Sequence, residues 1–275
     1  MPELPEVETI RRGLEPHLLG QRISAVNVLR PSQLHNVVPE VFCSQLVGTI
    51  IQRLERRGKY LLFFCSPGLA LIIHLRMTGQ LIYYPQGNIG ETYTRLILSL
   101  ESKAQLHFRD LRALGQITLV TTAKLSAWKP LAKLGPEPLS TDFTLGEFQT
   151  ALKRRRAPIK NVLLAQQVVA GLGNIYADES LFQAGINPLH PSNALSLRQS
   201  TLLWKSIRKT LAAAIGYGGT TISDYVNAGG TAGSFQQQLL VYGRKGQSCN
   251  HCGTRLVGCR LAGRSTVYCP RCQPL

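Results

Sequence analysis

The sequence predicts an α+β, multi-domain chain, and three observations carry that reading. Residues 22–120 break into short runs rich in β-branched and aromatic side chains. From about residue 144 the apolar spacing turns helical. The last stretch, 240–275, holds two CxxC pairs and neither Asp nor Glu. At 275 residues the chain has room for roughly two domains of about 150 residues each.

The first element is MPELPEVETIRRGLE. Val7, Ile10, Leu14 and Leu18 mark one face of a helix, with Pro5 near its first turn. Pro2 and Glu3 then lie at the positive end of the helix dipole. Strand-like runs follow: RISAVNVL, LVGTIIQRLE, KYLLFFC, LALIIHL, QLIYY, RLILSL and GQITLV. Ser66-Pro67-Gly68 and Glu101-Ser102-Lys103 are turns between them. Such close spacing predicts a β-sandwich or barrel, but the alternation is imperfect and leaves strand order unread.

KPLAKLGPEPLSTDF, with its prolines and Gly135, reads as a linker. The boundaries are therefore 1–128 for the strand-rich domain, 129–143 for the linker, 144–238 for the helical domain and 239–275 for the cysteine module. In the helical domain Leu145, Phe148 and Leu152 share a face, as do Ile159, Val162 and Leu163, and later Leu202, Ile207 and Leu211. The basic run Lys153–Arg156 suits a solvated face and a polyanion equally. Pro158 fits a first turn. Gly171 and Gly173 in GLGN permit the positive φ of a tight double turn. A second helix follows from Ile175 to Gln183. Asn174 at its start is an N-cap, a phosphate site, or both. Residues 216–234, with GYGGTT and NAGGTAG, are loop-like.

The cysteine module has the pattern Cys249-x2-Cys252-x16-Cys269-x2-Cys272, which matches a four-thiolate zinc site. Four thiolates leave no open position for water, so one structural Zn2+ is expected. Cys43, Cys65 and Cys259 stay outside this set. Arg244, Lys245, Arg255, Arg260, Arg264 and Arg271 give the module the character of a phosphate clamp.

Charge narrows the partner. Lys plus Arg number 31 against 15 Asp plus Glu, a net charge of +16. That favours DNA, RNA or an acidic membrane surface over a merely basic, solvated exterior. No apolar run reaches the ~18–20 residues needed to span a bilayer. The N-terminus has glutamates where a signal peptide has lysines and an apolar stretch. A cytoplasmic protein with no membrane partner is expected.

The N-terminus also carries possible chemistry. Methionine before proline is normally processed, and loss of Met1 leaves Pro2 as a free secondary amine. Such an amine can attack the anomeric carbon of a sugar and form an iminium. Glu3 beside it is placed to act as a general acid. Simple helix capping explains the same residues.

Taken together, PELPEVETIRRGL, RRGKYLL, IHLRMTG, LGPEPL, GLGNIYADESLFQAGI, VYGRKGQSC and the paired CxxC resemble the formamidopyrimidine-DNA glycosylases, in order, from Pro2 to Cys272. The resemblance implies an N-terminal β-sandwich flanked by helices, a helix–two-turn–helix DNA-binding domain and a zinc finger. It implies excision of oxidised purines, 8-oxoguanine and formamidopyrimidines, from double-stranded DNA, then β,δ-elimination, by a monomer associated with the nucleoid. Pro2 matches the Schiff-base nucleophile, Glu3 the proton donor and Glu6 a supporting carboxylate. Lys59 matches the residue assigned to β-elimination and Arg264 the one assigned to δ-elimination.

The resemblance further assigns Met77, Arg112 and Leu114 to the void left by the flipped base, with Arg112 reading the opposite cytosine. Leu114 falls where the family more often has Phe, and it wedges without aromatic stacking. Phosphate contacts carry over to His74, Arg155, Lys160, Asn174 and Tyr242. A family histidine expected near 90–94 is missing from GETYTR, so Thr92 or Tyr93 replaces its contact or the contact is absent. Segment 217–235 resembles a loop that closes over the base. Two other readings stay open: an endonuclease VIII-like glycosylase for oxidised pyrimidines, and a non-catalytic zinc protein that binds DNA.

Overall fold

A computed structural model describes residues 1–88 and 92–275. The chain forms two compact units. One is Met1–Ala132 with Tyr217–Gln236, the other Lys133–Gly216 with Gln237–Leu275. Segment 217–236 therefore packs with the N-terminal unit, whereas the sequence boundaries put it in 144–238.

In the first unit, α1 (Leu4–Leu18) precedes β1 (Ile23–Val28), β2 (Leu34–His35) and α2 (Pro39–Leu46). The strands continue with β3 (Ile51–Arg57), β4 (Tyr60–Cys65), β5 (Leu69–His74), β6 (Gly79–Tyr84), β7 (Thr94–Leu100), β8 (Gln105–Asp110) and β9 (Gln116–Thr121). Two sheets result, in the orders β1-β7-β8-β6 and β2-β9-β5-β4-β3. All pairings within them are antiparallel except β2 with β9. Leu61, Phe63, Leu71 and Ile73 of one sheet and Leu96, Leu98, Leu106 and Phe108 of the other fill one core, which α1 joins through Val7, Ile10, Leu14 and Leu18. This is the sandwich the strand spacing predicts.

The imperfect alternation has a physical cause. On β4 and β5, Leu62, Phe64, Ala70 and Ile72 face a second apolar cluster with Leu125, Trp128 and Leu131. These three come from the stretch containing the short helices α3 (Thr122–Leu125) and α4 (Lys129–Ala132). Strands buried on both faces read as continuous apolar runs. Among the elements missing from the sequence reading are β8 and α2. β8, QLHFRD, looks polar, but His107 and Asp110 are fully buried in it. α2 is short, and its inward face is only Phe42 and Leu46.

In the second unit, α5 (Leu145–Lys153), α6 (Ile159–Leu164), α7 (Asn174–Gln183) and α8 (Leu197–Gly216) pack with a hairpin, β10 (Val257–Leu261) and β11 (Arg264–Tyr268). The predicted linker is not a free tether. Beyond Ala132 it is strapped to this unit: Gly135 N–H donates to Gln166 O at 2.8 Å and Ala170 N–H to Pro136 O at 3.0 Å. The Arg208 guanidinium donates to Pro138 O at 2.8 Å and Ser140 O at 3.0 Å. A side chain at Gly135 would place Cβ 2.5 Å from Gln167 O, so only glycine fits that approach. Among the described residues no helix is long and apolar enough to cross a membrane.

Candidate active site and nucleic-acid interface

α1 begins with a reciprocal cap. Glu3 is the N-cap in extended conformation; its carboxylate accepts the Glu6 N–H, and Glu6 Oε2 accepts the Glu3 N–H at 2.7 Å. This is a capping box built from two glutamates instead of the usual Ser/Thr–Glu pair. Both carboxylates are almost fully buried. Glu6 Oε1 reaches on to the Thr220 N–H at 2.8 Å, 214 residues away. Gly219 makes that approach possible: its φ is +85°, and a Cβ there would stand 2.9 Å from Glu6 Oε1. Capping does not exclude a chemical role, since a carboxylate has lone pairs for both.

A small cavity of about 40 Å³ opens beside this terminus, lined by Met1, Pro2, Glu6, Met77, Thr220 and Tyr225 among others. That is water-sized space, and segment 219–225 forms its wall. The segment is pinned by Gln80, whose side chain donates to Asp224 O, and by the Tyr225 hydroxyl, which donates to Gly218 O at 3.0 Å.

The terminal amine, carried here by Met1, titrates below its ordinary value. Burial is the main cause; Lys59 lowers it further, while Glu3, Glu6 and Asp224 oppose the shift. Lys59 is nearly buried on the turn between β3 and β4. Arg56 holds that turn, donating to Gly58 O at 3.0 Å and to Glu8 Oε2 at 3.1 Å. Glu8 lies on α1 and also takes Arg11 and Arg12, so the turn and the helix are tied together.

His74 pairs with Tyr60 in the β4–β5 register, its ring edge-on to Tyr60 at 4.6 Å. Its Nδ1 accepts the Arg76 N–H at 3.0 Å. Burial, then Arg76 and Lys59, push its pKa down to about 3. The imidazole is neutral at pH 7, which leaves Nε2 as the protonated nitrogen and a donor. Met77 and Leu114 are exposed at 43% and 45%, and Arg112 beside Leu114 is exposed too. In the stretch 90–94, residues 90 and 91 lie outside the described residues. Thr92 is exposed, and Tyr93 has φ 70° with the Arg95 guanidinium 5.7 Å from its ring centre.

The second unit holds the other predicted residues. α6 starts at Ile159 with Pro158 as its N-cap, and Gly171 has φ +87°. Gly173 departs from expectation. It is extended (φ −126°, ψ −153°) and is itself the N-cap of α7, so Asn174 is the first helical residue. The Asn174 side-chain amide donates to Ser265 O at 2.9 Å. Arg155 is half-buried and donates to Ala151 O at 2.7 Å. Tyr242 is half-buried, with its N–H on Glu179. That carboxylate also collects the Leu240 and Val241 N–H groups, an anchor the sequence reading did not identify. Arg264 is exposed at the start of β11, just after the Ala262-Gly263 turn, where both residues have positive φ.

Lys160 needs correction. It is fully buried, with Nζ 2.7 Å from Asp178 Oδ1. It also donates to Thr266 Oγ1 at 2.8 Å and Ser265 O at 2.9 Å. A phosphate contact is out of its reach in this arrangement; it braces α6 and α7 against β11.

The sulfurs of Cys249, Cys252, Cys269 and Cys272 all lie within 4.8 Å of one another. Two pairs are 3.9 and 3.5 Å apart. Tetrahedral zinc with Zn–S of about 2.3 Å requires sulfurs about 3.8 Å apart, so the four residues fit one Zn2+. The ion supplies structural cross-linking: it joins the two CxxC turns that flank the β10–β11 hairpin, on which Arg264 sits.

Three regions match protein-family descriptions. Residues 1–117 match the formamidopyrimidine-DNA glycosylase N-terminal domain, 134–226 its H2TH domain, and 246–275 the zinc finger found in FPG and IleRS. A formamidopyrimidine-DNA glycosylase of Desulfitobacterium hafniense is 45% identical over 99% of this chain and 100% of its own. The Enterococcus faecalis protein of that name is 43% identical over 100% of this chain and 98% of its own. Among solved structures, a Lactococcus lactis FPG mutant with Fapy-dG-containing DNA superposes with a TM-score of 0.94 at 38% identity, covering both chains in full. The Lactococcus lactis Fpg bound to DNA with an abasic site gives 0.93 at 38%, over 99% of this chain and 100% of that one. Site geometry, zinc cluster and these matches agree, and the chain belongs to the formamidopyrimidine-DNA glycosylase family.

Proposed function

We propose that this chain is a bifunctional DNA glycosylase/AP lyase of base excision repair that removes oxidised purines from double-stranded DNA. One observation carries the reading beyond family membership: the partly buried N-terminal amine feels the buried Glu3 and Glu6 carboxylates and the Lys59 charge together at the start of α1. Removal of Met1 frees the Pro2 nitrogen, which is otherwise an amide. The Pro2 lone pair attacks C1′ of the flipped nucleotide. The glycosidic bond breaks, and its electron pair leaves with the base, which takes up the proton that the Pro2 nitrogen sheds. Glu3 delivers a proton to the sugar-ring oxygen, and the ring opens to an iminium. That iminium acidifies C2′. Loss of a C2′ proton, assigned to Lys59, expels the 3′ phosphate; a second elimination, assigned to Arg264, expels the 5′ phosphate.

Met77, Arg112 and Leu114 fill the void in the duplex, with Arg112 facing the opposite cytosine. The exposure of all three supports this. His74, Arg155, Asn174 and Tyr242 take phosphates; for His74 the donor is Nε2–H. Segment 217–235 opens to admit the base, because about 40 Å³ is too little for one. The protein acts as a monomer in the cytoplasm, on the nucleoid.

Borohydride reduction during incubation with an 8-oxoguanine:C duplex tests the reading. Processed protein forms a covalent adduct and retained Met1 abolishes it; Pro2→Gly, which leaves a primary amine at the terminus, weakens the lyase steps. An adduct with Met1 still attached would assign the attack to another amine. Faster excision of thymine glycol:A than of 8-oxoguanine:C would favour the endonuclease VIII-like alternative, and no adduct at all would leave a DNA-binding protein.

A further inference from the structure

Asp110 ends β8 in a fully buried position, and the steps proposed above do not use it. Its two carboxylate oxygens are committed to two separate loops. Oδ1 accepts the Thr78 hydroxyl at 2.5 Å. Oδ2 accepts the Gly115 N–H at 2.6 Å and the Gln33 side-chain amide at 2.8 Å. Thr78 follows Met77, and Gly115 follows Leu114. The hydroxyl of Thr78 does a second job: it accepts the Arg112 N–H at 3.1 Å. A single hydrogen-bonded chain therefore runs from the Met77 turn, through Thr78 Oγ1, to the backbone of Arg112 and to Asp110.

Both loops need such support. Arg76 and Ala113 hold positive φ of 53° and 51° without being glycine, conformations that persist only where the surroundings impose them. Gly115 admits no side chain, since a Cβ would sit 2.4 Å from the Phe108 ring and 3.0 Å from Asp110 Oδ2. Charge-assisted hydrogen bonds to a buried carboxylate are short and strong, and the distances here are at that short end.

We infer that Asp110 and the Thr78 hydroxyl are positioning residues for opposite-base recognition, locking Met77, Arg112 and Leu114 into one rigid reader. The inference rests on the proposed role of those three side chains. Its substrate-side consequence is specific. Chemistry at Pro2 does not need the reader when no opposite base exists, whereas discrimination between cytosine and adenine opposite the lesion does.

The test compares kcat/KM for 8-oxoguanine:C and 8-oxoguanine:A duplexes, alongside cleavage of a single strand with an abasic site. Thr78→Val removes the hydroxyl at nearly constant shape. It lowers the C-over-A ratio about tenfold, the size expected for losing hydrogen bonds that involve a charged group, and leaves single-strand cleavage unchanged. Thr78→Ser keeps the hydroxyl and restores the ratio. Asp110→Asn, which replaces one acceptor oxygen by a donor, falls with Thr78→Val. An unchanged ratio in Thr78→Val, or an equal loss on duplex and single strand, overturns the inference. A wild-type protein that cleaves none of the substrates overturns the glycosylase reading itself.

Discussion

Lys59 and Lys160 are both lysines that sequence reasoning points toward DNA, and the fold nearly or fully buries each of them. Their surroundings differ in kind. The Lys160 ammonium meets Asp178, Thr266 Oγ1 and Ser265 O, all within 2.9 Å, and an ammonium has three donors. It is saturated, and its work is to hold the β10–β11 hairpin on the helices. The turn that carries Lys59 is held by Arg56 through Gly58 O and Glu8. The Lys59 charge acts instead on the terminal amine and on His74, lowering both. A buried lysine whose donors are all spent inside the fold is a brace. One whose charge lowers the pKa of a neighbouring amine tunes that amine.

The largest expected effect tests the brace. Lys160→Ala leaves Asp178 buried without its counter-charge, and breaking such a pair costs about 3–5 kcal/mol. Thermal unfolding reads this directly. Replacing both partners, Lys160→Met with Asp178→Leu, recovers most of the loss, because an apolar pair of similar size needs no desolvated charges. If Lys160→Ala kept its melting temperature and lost only DNA affinity, the two lysines would belong to one class after all.

The contrast also explains what the sequence made legible. The zinc pattern and the helix–turn–helix glycines are local, with ligand spacing and turn chemistry inside a few residues of each other. Pro158 and Gly171 land where turn chemistry puts them, and the four cysteines converge. The burial of Lys160 was not legible, because nothing within a helical turn of IKNVLL announces Asp178, eighteen positions on. The same holds in the first unit. Glu6 meets Thr220, and Asp110 meets Gln33 and Thr78, across 214, 77 and 32 residues. β8 was missed for the reason that makes it matter: it spends a buried position on a carboxylate that organises two loops. Sequence spacing carries local geometry, and a single chain gives no signal for polar pairs closed by tertiary folding.

The next effect tests Lys59. Lys59→Met keeps the apolar stem and removes the charge. Stability falls by about 1 kcal/mol, the centre of the range for single substitutions. Strand scission at a preformed abasic site falls by about a hundredfold, the low end of what a general acid–base group supplies. Base release, measured separately, falls less. A melting temperature that drops as far as in Lys160→Ala would show that Lys59 is a second brace.

The smallest effect is a displacement along the pH axis, and it isolates the charge of Lys59 from its proton transfers. Only the neutral amine attacks, so adduct formation rises as pH climbs through the amine's pKa. That pKa is depressed below the ordinary 8.0, chiefly by burial and also by Lys59. Processing transfers the free amine from Met1 to the neighbouring Pro2, beside the same Glu3, Glu6, Lys59 and Asp224 charges. The acid limb of the borohydride-trapping rate in the wild type follows that amine's pKa. Lys59→Met removes a depressing charge and moves the limb to higher pH. Asp224→Asn removes a charge that raises the amine's pKa and moves it to lower pH. Trapping is the right readout, since iminium formation precedes the elimination assigned to Lys59. Limbs that move together, or in the reversed order, would show that the Lys59 charge does not set the amine's pKa, and the distinction between the two lysines would fail.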